Sequence, residues 1–148
     1  AGARVFVVKD LSGIIQTTPF KADGTAVAGI TSKVVTTSRD LTLADGTQTI
    51  TGAGFTPTTC FCFAAVGDNS AAAWGFADSA LTDGELYDRH AVTANTSIIA
   101  ITLVTLNTAA TALNAAAFTS FNSDGCVITW TKSGAPTGTV NLTFLFLR

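Results

Sequence analysis

Charge is scarce in this sequence. Eight basic and ten acidic residues are spread over 148 positions, for a net charge of −2. The lysines and arginines stand singly, so the clustered cations that hold a phosphate backbone are missing, and nucleic acid is not an expected partner. Histidine is nearly missing too. His90 stands alone, so any Ser-His-Asp or Cys-His machinery would have to be built around it. Its surroundings, "LYDRHAVT", read as a polar loop without a nucleophile elbow, and a solvated histidine is the expectation.

Long apolar runs are absent as well. The chain is 47% hydrophobic with a mean hydropathy of +0.44, yet no window reaches the ~18 uninterrupted apolar residues of a membrane helix. The apolar surplus is expected to go into subunit contacts, with no membrane partner. Methionine does not occur and the first residue is Ala1, as expected where an initiator Met is removed before a small residue. "ARVFVVKD" is too short and too charged to read as a signal peptide. Three cysteines, an odd number, are expected to be reduced thiols in a protein made in a cytosol.

What remains favours strands. Thr and Ala are the commonest residues, and long helix-forming charged side chains are few. The spacing predicts one all-β domain, an antiparallel β-sandwich of jelly-roll-like type over 34–148, preceded by an extended N-terminal arm over 1–33. In the arm, "RVFVV" and "GIIQTT" read as short strands around a "KDLSG" turn, followed by a small-residue linker with Asp23-Gly24 as a turn. From Lys33 the rhythm becomes regular: "KVVTTS", "LTLADGTQTIT" with Asp45-Gly46 as a hairpin signal, "TCFCFAAV", "AAAWGFA", "IIAITLVTL", "AAFTSF", "CVITWTK" and "TVNLTFLFL". A short helix competes with strand only in the Ala- and Leu-rich segment 105–118.

Two stretches carry finer expectations. In "CVITWTK", Cys126, Ile128 and Trp130 should face a core, with Val127, Thr129 and Thr131 on the other side. Upstream, Phe118 and Phe121 differ in parity, which predicts a bend or bulge before the turn, and Asp124-Gly125 supplies the geometry of a tight hairpin. The last strand is apolar on both faces through Leu145 and Leu147. It should be buried twice over or covered outside by another subunit.

Candidate chemistry is thin. Cys60 and Cys62 share one side of a predicted strand. With Cys126 and His90 they make a nominal zinc set, but C-x-C without a second close pair favours buried thiols acting as small hydrophobes, with no metal. Most acids, Asp10, Asp23, Asp40, Asp45, Asp68 and Asp124, lie beside turn residues. The cluster Asp78, Asp83, Glu85 and Asp88 reads as a solvated loop, because its spacing matches no calcium loop. "GAGFTP" leads from strand to strand, so a bulge or tight corner is expected there rather than a phosphate cradle. No catalytic set and no cofactor are expected.

The ordered motifs resemble a β-sandwich domain of structural proteins in tailed bacteriophages. The corner is Gly52, Gly54, Phe55 and Pro57, the middle element Gly75, Phe76 and Ala77, and the late hairpin Phe118, Phe121, Asp124, Gly125 and Trp130, over about 35–147. Cys126 departs from the family pattern, which is more often aromatic there. The resemblance implies a virion structural protein rather than an enzyme: a decoration or cement protein on the capsid surface, synthesised in the host cytoplasm. It would bind the major capsid protein and copies of itself, with a trimer expected, and its arm, through Val5, Phe6, Val7, Ile14 and Ile15, would add to a neighbour's sheet. The alternative is a tail or fibre module that binds host glycans, with Trp74, Tyr87 and the acidic loop as candidate contacts.

Overall fold

The computed structural model describes residues 7–9, 15–17, 29–67, 71–80, 84–89, 103–109 and 112–148. The chain divides into two compact units, Ala1–Ile30 and Thr31–Arg148. In the first, β1 (Val7–Lys9) and β2 (Ile15–Thr17) form an antiparallel pair with Val8 opposite Gln16. Val5, Phe6 and Ile14 lie outside the described residues.

The second unit is all-β. Its strands are β3 (Ser32–Asp40), β4 (Gly46–Thr51), β5 (Thr59–Val66), β6 (Ala72–Asp78), β7 (Gly84–Arg89), β8 (Val104–Ala109), β9 (Ala112–Asn122), β10 (Gly125–Ser133) and β11 (Thr139–Leu147). Two antiparallel sheets, ordered β4-β10-β9-β8 and β3-β11-β5-β6-β7, make a sandwich. The pairings of β3 with β11 and of β4 with β10 join the domain's first strands to its last, as in a jelly roll. The inner strands depart from that plan and run as two meanders, β5-β6-β7 and β8-β9-β10.

Alternation builds the core. On β11, Val140, Leu142, Phe144 and Phe146 are buried, and on β5 the inward set is Cys60, Cys62, Ala64 and Val66. The facing sheet supplies Cys126, Ile128 and Trp130 from β10, on the side their parity requires. Each large side chain taken from water contributes about 1.5–3 kcal/mol, so Trp130, Phe144, Phe146 and Leu142 weigh most.

Two expectations change, and the one helix–strand competition is resolved for strand. Asp45-Gly46 does not close a hairpin of paired strands, because β3 and β4 belong to different sheets and the connection crosses the sandwich. Leu41 therefore leaves the strand pattern and plugs the core from a loop. Its N–H donates to the Gly138 carbonyl at 2.9 Å, and its carbonyl accepts from Nδ2 of buried Asn114 at 3.3 Å. "GELYDR" is a strand, β7, rather than a solvated loop, since β6 offers it a free edge. The segment that could have been a helix forms β8 and β9, where sheet pairing overrides the helix propensity of Ala and Leu.

The two sheets are stitched along one side. Gln48 on β4 accepts from the indole Nε1 of Trp130 at 2.9 Å through Oε1. Its Nε2 donates to the Ser38 carbonyl on β3 at 3.2 Å. The Arg39 guanidinium lies 5.4 Å from the centre of the Trp130 ring and donates to the Ala44 carbonyl at 2.7 Å.

Candidate functional site

The corner and the late hairpin, separate motifs in the sequence, form one object. The Asp124 carboxylate accepts the Gly52 amide at 2.9 Å and the Gly54 amide at 2.6 Å, and the Ala53 amide donates to the Asp124 carbonyl at 2.9 Å. Three successive amides can converge because Gly52 and Gly54 hold φ of +108° and +77°, conformations that side-chain-bearing residues avoid. These bonds to the ionised form, the Gly54 amide first and the Gly52 amide next, hold the Asp124 carboxyl below the usual carboxylate range. Phe55 then turns into the core with the Arg148 guanidinium 5.4 Å from its ring centre, and Pro57 is buried behind it.

The hairpin itself is tighter than its sequence suggests. Asn122 pairs with Gly125, so Ser123 and Asp124 are the loop, and Asn122 Oδ1 accepts the Asp124 amide at 2.9 Å. Gly125 is required by a neighbour rather than by the turn alone, because a Cβ there would collide with the Ile50 carbonyl on β4. The bulge expected from Phe118 and Phe121 lies at Thr119. Val127 pairs with Ser120 and Ile128 with Phe118, leaving Thr119 extra. The parity shift brings the two phenyl rings to 4.7 Å, and the Thr119 hydroxyl meets that of Thr129 at 2.8 Å.

Those rings floor a cleft of about 530 Å³ at one end of the sandwich, walled by Pro57, Thr58, Asp78 and Ser79. Asp78 Oδ1 accepts the Ala80 amide at 2.7 Å, which shapes the rim. The cleft joins an apolar floor to hydroxyls and a carboxylate, a lining suited to a small polar ligand with one apolar face.

The outward face of the five-stranded sheet is the larger candidate. Register places Val34, Leu145, Phe61 and Phe76 in one row across four strands, and Phe63 beside Trp74 in the next. Phe63 is 47% exposed, Trp74 40% and Val34 58%. The rings of Phe63 and Trp74 stack at 5.9 Å and 13°, and Phe61 and Phe76 are tilted neighbours at 6.4 Å. Trp74 is also the cross-strand partner of Tyr87 on β7. Leu145 and Leu147 are half-buried here, so the second apolar face of the last strand points outward from the sandwich. The sequence signal for this face was available in "FCFAA" and "AWGFA", where aromatics alternate with small core residues. It could not be assembled without the pairing of β5 with β6.

The cysteines are packing residues. Cys60, Cys62 and Cys126 are free and buried. Burial first, then the neighbouring Cys60, pushes the Cys62 thiol well up, and for Cys126 the contact with Cys60 and burial push in the same direction. Among the described residues, no group of three or more His, Cys, Asp or Glu is placed to hold a metal ion. His90, Asp68 and Asp83 lie outside the described residues. Among the same residues no helix is long and apolar enough to cross a membrane. No family model, curated protein or solved structure matches the chain.

Proposed function

We propose that this chain is a structural protein of a bacteriophage virion, a decoration or cement protein that docks on coat-subunit seams and on copies of itself. The observation that carries the reading is the outward face of the five-stranded sheet, where Val34, Leu145, Phe61, Phe63, Trp74 and Phe76 form an apolar surface. Surfaces of this kind serve protein contacts. The motif resemblance supplies the virion context, and the major capsid protein is the partner it implies. In this reading the clamped corner and hairpin are scaffold, and no residue acts in catalysis.

A second reading is favoured by one feature. The flat Phe63–Trp74 stack is the kind of aromatic platform on which the apolar face of a sugar ring rests, as a tail or fibre module for host glycans would require. Incubating the full chain with purified shells that lack it, then imaging by electron microscopy, separates the two. Regular density over coat seams is the expected result. A chain that leaves shells bare but binds glycans on an array supports the second reading and overturns the first.

A further inference from the structure

The sandwich has four sheet edges, and three are short. β4, β7 and β8 are six residues each, and β7 and β8 are joined to their neighbours through register shifts at Trp74/Gly75 and Asn107/Ala109. Short and bulged edges resist adventitious pairing. β3 is different. It runs nine residues in unbroken register with β11, contains no proline, and among the described residues no strand pairs with its outer side.

The direction of its backbone groups follows from one pair of bonds. Thr31 and Arg148 exchange both amide–carbonyl bonds at 2.9 Å. In an antiparallel ladder such pairs recur every second residue, so Lys33, Val35, Thr37 and Arg39 bond β11, while Ser32, Val34, Thr36 and Ser38 point their N–H and C=O groups away from the sheet. The bond from Gln48 Nε2 to the outward Ser38 carbonyl agrees with that phase. Gln48 occupies the end of the edge, and among the described residues Ser32, Val34 and Thr36 present an open template.

We infer that the outer edge of β3 is the acceptor for the β1–β2 strand pair of a second copy of this chain, which extends the five-stranded sheet of its neighbour. This rests on the self-assembly part of the proposed function and names the surface it uses. Two observations select the occupant. An isolated two-stranded hairpin is marginal in water, and β1 and β2 are three residues each, so the pair gains most by joining a sheet. Thirteen residues, Thr18 to Ile30, lie in sequence between β2 and the sandwich unit Thr31–Arg148, a contour length of up to about 45 Å, against a sandwich diameter of roughly 35 Å by size scaling. The added strand also borders the apolar row that starts at Val34.

Backbone hydrogen exchange on the assembled full chain tests this. The Val34 and Thr36 amides should be protected in the assembled state and lose protection on dilution, together with amides of β1 or β2. Free exchange of Val34 and Thr36 in an assembly overturns the inference while leaving self-assembly standing. Protection that is independent of concentration also overturns it, because the added strand would then be the chain's own. A chain that stays single at every concentration and leaves shells bare fails the proposed function itself. As a second arm, Thr36→Pro removes an outward N–H without breaking a bond to β11, and should weaken self-association about tenfold or more. A folded Thr36→Pro chain that assembles as the parent does counts against the edge.

Discussion

Asp124 and Gly54 stand 70 positions apart and share a hydrogen bond of 2.6 Å, from the Gly54 amide to the Asp124 carboxylate. With the Gly52 amide on the other oxygen, this contact ties the loop after β4 to the turn between β9 and β10. Asp124→Ala leaves both amides without their acceptor, and a measurable loss of stability is expected. Urea unfolding of the two chains measures it.

The same contact predicts an acid limb. The carboxyl of Asp124 is held down by the Gly54 and Gly52 amides, and that of Asp40 by the amide and hydroxyl of Thr42. A carboxyl depressed on folding stabilises the fold above its unfolded value, ~3.9, and loses that contribution as pH falls through the folded-state value. Thermal melts from neutral to strongly acid pH should show Asp124→Asn less stable at neutral pH, with the gap to the parent narrowing as pH falls below the unfolded carboxyl value and through the lower folded one. A gap unchanged across that range would show that ionisation is not what makes the clamp.

Two glycines should respond differently. At Gly54 the φ is +77° and no atom lies within 4 Å of a built Cβ, so Gly54→Ala meets only conformational strain of about 1–2 kcal/mol, and Gly54→Val somewhat more. Gly125→Ala drives a methyl into the Ile50 backbone and should cost about 2–4 kcal/mol, since β4 and β10 must move apart. Equal losses at the two sites would remove the close approach of β4 as the reason for Gly125.

The thiols should be silent until the fold opens. Cys60, Cys62 and Cys126 are buried, with the thiols of Cys62 and Cys126 pushed up, so an aromatic disulfide reagent should label none in the native state and all three in denaturant. Intact mass should show no loss of hydrogens. Rapid labelling of the native chain would contradict the core placement.

The outward face should separate stability from binding. Trp74→Ala and Phe63→Ala each remove an exposed cross-strand partner, for a stability loss of about 1 kcal/mol or less. Binding to shells should fall by at least an order of magnitude if either ring anchors the contact. Deleting residues 1–30 should leave a folded sandwich by circular dichroism, since β3 and its Thr31–Arg148 closure remain, while self-association is lost.

Strand identity was readable where β-branched and aromatic residues run unbroken between turn residues. "TCFCFAAV" and "TVNLTFLFL" are β5 and β11 residue for residue, because inward and outward side chains alternate on a pleated strand whatever lies across the sheet. The bulge before the turn was also legible, since Phe118 and Phe121 cannot share a face without an extra residue. "GELYDR" gave no such signal, because its strand state comes from the edge of β6 rather than from its own alternation. Leu41 looked like strand and became a plug once β3 and β4 fell in different sheets. Asp124 read as a turn residue; its role as acceptor for Gly52 and Gly54 exists only when the chain brings distant loops together. Local periodicity is a property of a single strand and is written in its residues. Partner choice among strands of similar composition depends on the whole packed assembly, and so do the clamp, the outward apolar face and the open edge of β3 that follow from it.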